Sequence, residues 1–295
     1  MDGIELEHCT LAVRGIELHV VTAGPEDGPL AVLLHGFPEL WYGWHHQIEP
    51  LARAGYRVVV PDQRGYNLSD KPQGVSAYAI DELASDVVAI IEAQGRDWAH
   101  VAGHDWGAAV GWHLAATRPE RVGRMVLVNV PHPAVLARTI RRSTKQLRKS
   151  WYMLFFQLPW LPEWFATKND SENLVRALRA TSRRGTFSDA DLEIYRAAWA
   201  QPGAITGMIN WYRAAVRMVS SPLPDHPITV PIHLLWGRKD RFLGSEMAAP
   251  SLALCEEAKL TLVDDATHWV HHERPELVSD VLVEWFGGDA LPDEP

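Results

Sequence analysis

The chain has 295 residues, with 37 acidic side chains against 28 basic ones and a formal net charge of −9. Hydrophobic residues make up 47% and charged residues 22%, the composition of a globular chain with room for one large α/β domain, or one domain carrying an insertion. The acidic balance argues against a nucleic-acid partner. The opening MDGIELEHCT lacks the basic and apolar regions of an export leader, and no apolar run approaches the roughly 18 residues of a bilayer span. A soluble, cytoplasmic protein without membrane insertion is expected.

In chain order, the runs CTLAVR and ELHVVTAG predict an antiparallel hairpin at one sheet edge. Then strands and amphipathic helices alternate: LAVLLHG (30–36), a helix around 43–54, YRVVVPD (56–62), ELASDVVAIIEAQG (82–95), AHVAGHD (99–105), AAVGWHLAAT (108–117) and RMVLVNV (124–130). Continuous apolar strands separated by helices predict a parallel sheet covered on both faces. The rhythm stops at Pro131 and resumes with PIHLLWG (231–237), KLTLVDDA (259–266) and a helix near 275–286. Residues between about 132 and 225 carry helix patterns only, bounded by VPHPA and SSPLPDHP. The expected organisation is an α/β core, 1–130 and 226–295, with an all-helical lid inserted at 131–225. RTIRRSTKQLRKS (138–150) carries six positive charges and reads as a solvated helix face rather than an anion or membrane patch. Cys9 and Cys255 lie far apart without metal-site spacing and read as free buried thiols.

The chemistry centres on Gly103-His104-Asp105-Trp106-Gly107. It has the outline of a nucleophile elbow, a strand-to-helix turn that exposes a reactive side chain above an α/β sheet, with aspartate where serine commonly stands. A competing reading makes Asp105 only the cap of the following helix. Partners for a reactive carboxylate follow in the order acid, then histidine: Asp240 in LLWGRKD and His268 in DDATHWVHHE, each just past a strand. Asp240 is preferred to Asn129, Asp264 and Asp265. His268 is preferred to His271 and His272, which are expected to face solvent. Upstream, His35-Gly36-Phe37-Pro38-Glu39 follows the strand LAVLL. The backbone N–H groups of Phe37 and Trp106 would form an oxyanion hole, with His35 and Pro38 in the loop that borders it and the substrate.

A carboxylate suits attack on saturated carbon. Serine would leave an unreactive ether there, whereas aspartate leaves an alkyl ester whose own carbonyl water can attack. The leaving group would be halide or an epoxide oxygen, and the latter needs a proton. Tyr152 in SWYMLFFQ and Tyr212 in INWYRA could supply one, or could simply pack among the lid's many aromatic residues.

Together HGFPE, DQRGYNLSDKP, GHDWGAAVGW, VNVPHPAV, NWYR, LLWGRKD and THWVHHERP resemble the epoxide hydrolases of the α/β-hydrolase fold, over about residues 35 to 275. The resemblance implies Asp105 as nucleophile, Asp240 and His268 as the water-activating pair, and Phe37 and Trp106 as oxyanion donors. It also implies a cis peptide before Pro38 and ring-opening tyrosines at Tyr212 and, on a looser motif, Tyr152. The implied partners are a small apolar or aryl epoxide and water, with no metal or organic cofactor. Oligomeric state is left open, a homodimer included. Haloalkane dehalogenases share the Asp-Trp pair but usually have Asn at the position of Phe37. Fluoroacetate-type dehalogenases have Arg after the nucleophile, where this chain has Trp106. A non-catalytic receptor of this fold would lack at least one triad member.

Overall fold

The computed structural model describes residues 4–217 and 227–288. The hairpin forms from β1 (Glu7–Val13) and β2 (Ile16–Ala23). There follow β3 (Leu30–Leu34), α1 (His45–Arg53), β4 (Arg57–Pro61), α2 (Ile80–Ala93), β5 (Ala99–His104), α3 (Trp106–Thr117) and β6 (Val122–Val128). Six helices come next: α4 (Pro133–Arg142), α5 (Thr144–Lys149), α6 (Trp151–Phe155), α7 (Leu161–Thr181), α8 (Asp189–Trp199) and α9 (Ala204–Arg217). The chain then returns to the sheet through β7 (Ile232–Gly237), α10 (Ala248–Leu252), β8 (Ala258–Val263), α11 (Val270–Glu273) and α12 (Pro275–Phe286).

The eight strands form one sheet in the order β1-β2-β4-β3-β5-β6-β7-β8. Only the β1–β2 and β2–β4 pairs are antiparallel; the other pairs are parallel. Strand periodicity divides the apolar runs between the two faces. Leu30, Val32 and Leu34 of β3 join the core under α2, α3 and the inserted helices, while Ala31 and Leu33 face α1 and α12. This two-sided burial explains why β3 reads as an uninterrupted hydrophobic run. The fold class expected from the sequence is the one observed.

In the described part of the inserted segment the regular elements are all helices; its expected far boundary at 225/226 lies outside the described residues. Within α7, Asn169, Asp170 and Ser171 take left-handed φ angles and kink the helix. Arg138, Arg141, Arg142, Lys145 and Arg148 are solvent-exposed, as a solvated face requires, but Lys149 turns inward. Cys9 corrects the expectation of buried thiols: it lies exposed on the edge strand, and Cys255 is only partly buried. Among the described residues no helix is long and apolar enough to cross a membrane.

Candidate active site

The turn from β5 into α3 holds Asp105 at φ +49° and ψ −118°, a conformation costing a residue with a side chain about 1–3 kcal/mol. Flanking glycines make the turn sterically possible. A Cβ on Gly103 would come 2.5 Å from the Gly107 backbone, and one on Gly107 2.2 Å from the Leu34 carbonyl oxygen. Although Asp105 occupies the N-cap position of α3, its side chain makes no capping bond. Instead Oδ1 accepts from the Phe37 N–H at 2.9 Å, and Oδ2 lies 3.4 Å from Nε2 of His268. That geometry removes the capping alternative.

Phe37 can approach because Gly36 has no side chain; a Cβ there would lie 2.3 Å from that of Asp105. The Phe37–Pro38 peptide is cis, as the resemblance implies. Trp106 is the first residue of α3, so its N–H has no acceptor within the helix and remains available. Pro38 lines the cavity above Asp105, but His35 does not. His35 is fully buried behind the loop, where Nδ1 donates to the Gly36 carbonyl at 3.1 Å and Nε2 accepts from the Gln63 N–H at 3.1 Å. Its expected place beside the substrate is therefore corrected: it braces the loop.

Past β7 and β8, the loops bring Asp240 and His268 together, with Nδ1 of His268 donating to Oδ2 of Asp240 at 2.8 Å. Asp240 also accepts from the N–H groups of Phe242 and Leu243, at 2.7 and 2.9 Å, and from Nδ2 of Asn129 at 2.7 Å. Lys149 donates to its backbone carbonyl at 2.8 Å. Asn129, weighed as an alternative acid, thus supports Asp240, while Asp264 and Asp265 pair with surface arginines. Burial opposes charge on His268, yet Asp240 and Asp105 outweigh it and lift its pKa to about 10. Burial likewise opposes charge on Asp105, but His268 and the Phe37 N–H hold its pKa below the ordinary carboxylate value.

Tyr152 from α6 and Tyr212 from α9 meet edge-on, their ring centroids 5.8 Å apart. Tyr212 also packs 5.3 Å from Phe37 and 4.9 Å from Trp106. Both tyrosines, Asp105 and His268 line one cavity of about 190 Å³, walled mostly by apolar side chains such as Phe155, Phe156, Leu174, Phe242 and Trp269, with Asn173 and Thr181 also at its wall. Burial, and then the charge of Asp105, pushes both hydroxyls above their usual pKa, so they remain protonated at neutral pH. Among the described residues, the groupings of side chains able to hold a metal ion lie outside this cavity.

Sequence reasoning missed the part played by Glu39. Fully buried, it receives the Tyr195 hydroxyl at 2.8 Å and Nε2 of His272 at 2.7 Å on Oε1, while Oε2 faces His104 Nδ1 at 2.9 Å and His271 Nε2 at 3.2 Å. The other nitrogen of His104 donates to the His268 carbonyl at 2.9 Å. Burial disfavours the Glu39 charge, but His271, His272 and His104 overcome this and hold its pKa well below the usual value. His271 and His272 are therefore not solvent-facing as expected; their exposures are 0% and 7%. His268 lies before α11, so helical spacing from it gave no signal of this burial.

The α/β hydrolase fold family matches residues 29–275. The AB hydrolase superfamily protein YfhM of Bacillus subtilis is 46% identical over 286 residues, 97% of this chain and 99% of that protein. Epoxide hydrolase 4 of Homo sapiens is 37% identical over 283 residues, covering 93% of this chain and 77% of its own length. The crystal structure of Bacillus megaterium epoxide hydrolase in complex with an inhibitor superposes with a TM-score of 0.86 at 28% identity, covering 95% of this chain and 100% of that one. With these relatives spanning core and inserted helices alike, the chain belongs to the α/β hydrolase fold family and, within it, to the epoxide hydrolases.

Proposed function

We infer that this enzyme hydrolyses a small apolar or aryl epoxide to a vicinal diol through a covalent ester on Asp105. The observation that carries this reading is the freedom of the Asp105 carboxylate from helix capping: it faces the cavity between the Phe37 N–H and His268, in a space also lined by two protonated tyrosines.

In the first step an oxygen of Asp105 attacks an epoxide carbon, the C–O bond of the ring breaks, and the departing oxygen takes a proton from Tyr212 or Tyr152. A hydroxyalkyl ester and a tyrosinate result. Ester formation abolishes the Asp105 charge, one of the two carboxylate charges that raise the pKa of His268. The imidazole pKa falls accordingly, so the ring can pass its proton to the tyrosinate and stand as the neutral imidazole needed as a base. Asp240 retains the ring orientation and supports the imidazolium while water adds to the ester carbonyl. The oxyanion formed there is stabilised by the N–H groups of Phe37 and Trp106; its collapse breaks the ester C–O bond, and the leaving alkoxide takes the proton of the new carboxylic acid, which releases the diol and restores the Asp105 carboxylate.

The test runs a terminal epoxide and a bromoalkane in parallel, followed by one turnover in ¹⁸O-labelled water. Diol formation is expected, with solvent label first appearing in Asp105 rather than in the diol. Bromide release without diol formation would overturn the substrate assignment. Label in the first diol would replace covalent catalysis with direct attack by water.

A further inference from the structure

Outside the cavity, three histidines converge where the start of α1 meets α11. His45, His46 and His272 each present a ring nitrogen, and these nitrogens lie within 4.8 Å of one another. The rings of His45 and His46 are 3.7 Å apart between centroids, and His272 lies 5.9 and 6.3 Å from them.

The surrounding hydrogen bonds set the tautomers of two of these rings. The Tyr42 carbonyl can only accept, so Nδ1 of His45 donates to it at 2.6 Å and the neutral ring keeps its lone pair on Nε2. Carboxylate Oε1 of Glu39 lies 2.7 Å from Nε2 of His272, leaving the His272 lone pair on Nδ1. A carbonyl or carboxylate behind the ring, as His45 and His272 have, is the usual support of a metal-binding histidine, fixing its tautomer and raising its basicity. Tyr42 stacks flat on His45 at 4.0 Å, and its hydroxyl donates to Asp191 of α8 at 2.9 Å. Asp191 and Glu276 add negative charge close to the rings. The deeper grouping of Glu39 with His271 and His272 is the weaker candidate, because the Glu39 oxygens already serve four partners.

We propose that His45, His46 and His272 form a binding site for one divalent transition-metal ion of the zinc, nickel or copper class, with the Tyr42 carbonyl and Glu39 as outer supports. Three imidazoles suit these ions, and water can complete a four-coordinate zinc. Because His272 shares Glu39 with Tyr195 of α8, occupancy also stiffens the contact between the core and the inserted helices.

The test uses the full chain, freed of metal by a chelator and dialysed, then titrated with zinc chloride by calorimetry and with cobalt chloride by visible absorption. The expected result is one ion per chain, d–d bands of four-coordinate cobalt, and a rise in melting temperature of about 2–4 °C with zinc. His46→Ala, a change at an exposed residue, should weaken binding at least ~10-fold. His113→Ala, a change at a histidine paired with Asp81 elsewhere on the surface, should leave it intact. Absence of saturable zinc binding below about 1 mM, or equal affinity in wild type and His46→Ala, would overturn the proposal. Equal weakening by His113→Ala would do so too.

Discussion

Replacing His268 with glutamine separates the two chemical steps proposed here. Glutamine can still donate a hydrogen bond toward Asp240, but it cannot take a proton from water. Asp105 and the tyrosines are unchanged, so the ester should form and then persist, with its hydrolysis slowed by about 10²–10⁴, the usual worth of a general base. The structure also bounds the cost to folding. Removing one member of a buried ion pair commonly costs about 3–5 kcal/mol. Here Asp240 keeps three other donors, from Phe242, Leu243 and Asn129, and Asp105 keeps the Phe37 N–H, so a loss of about 1–3 kcal/mol is expected. Mixing His268→Gln with an aryl epoxide, quenching and weighing the intact protein should show one added epoxide mass per chain, located on Asp105 by peptide mapping. A variant that turns over at the wild-type rate, or that stays folded and active-site intact yet never gains the mass, would refute the reasoning.

Tyr212→Phe should slow ester formation by about 10²-fold or more while leaving ester hydrolysis near wild type, and Tyr152→Phe combined with it should slow formation further; rapid-quench measurement of both steps decides. Gly36→Ala should displace the Phe37 N–H, because its new Cβ would stand 2.3 Å from that of Asp105. The expected loss of turnover is about 10²–10³, and unchanged turnover would contradict the role given to Phe37. Stability should depend on pH in two directions. With its folded pKa raised from 6.5 to about 10, His268 contributes stability that is fully present below its ordinary pKa and is lost as pH rises through about 10. Asp105 and Glu39, with depressed pKa values, contribute above the ordinary carboxylate range and lose that contribution as pH falls through their folded values. Urea denaturation across pH should show both limbs, and His268→Gln should flatten the alkaline one and weaken the Asp105 part of the acid one, leaving the Glu39 part in place.

The fold was legible because its signals are local. Strand runs such as LAVLL and AHVAG carry their own burial pattern, and a βα rhythm interrupted only by helices admits few architectures. Asp105, Asp240 and His268 were legible for a related reason: each follows the C-terminal end of a strand, where parallel sheets place side chains toward a common crevice. The partners of Glu39 were not legible, since its bonds to His271 and His272 join residues more than 230 positions apart. Their place on the turn after His268 suggested solvent exposure for those histidines, and only a buried carboxylate opposite them explains why they are inside. Cys9 failed in the opposite sense: it lies on an edge strand whose outer part is exposed. The resemblance to a family supplied the tyrosine pair, which ring packing alone would not have distinguished from ordinary aromatic filling.

The four contacts of Glu39 have a consequence for how such enzymes can be recombined. Its partners come from the end of β5, from α11 and from helix α8 of the insertion, so the inserted helices are not an interchangeable module resting on a finished catalytic base. A chimera that kept residues 1–130 of this chain but took its helices from another would need a hydroxyl at the position of Tyr195. Without one, the mismatch would be felt first at the backbone of His268, through His104, rather than at the foreign helices themselves.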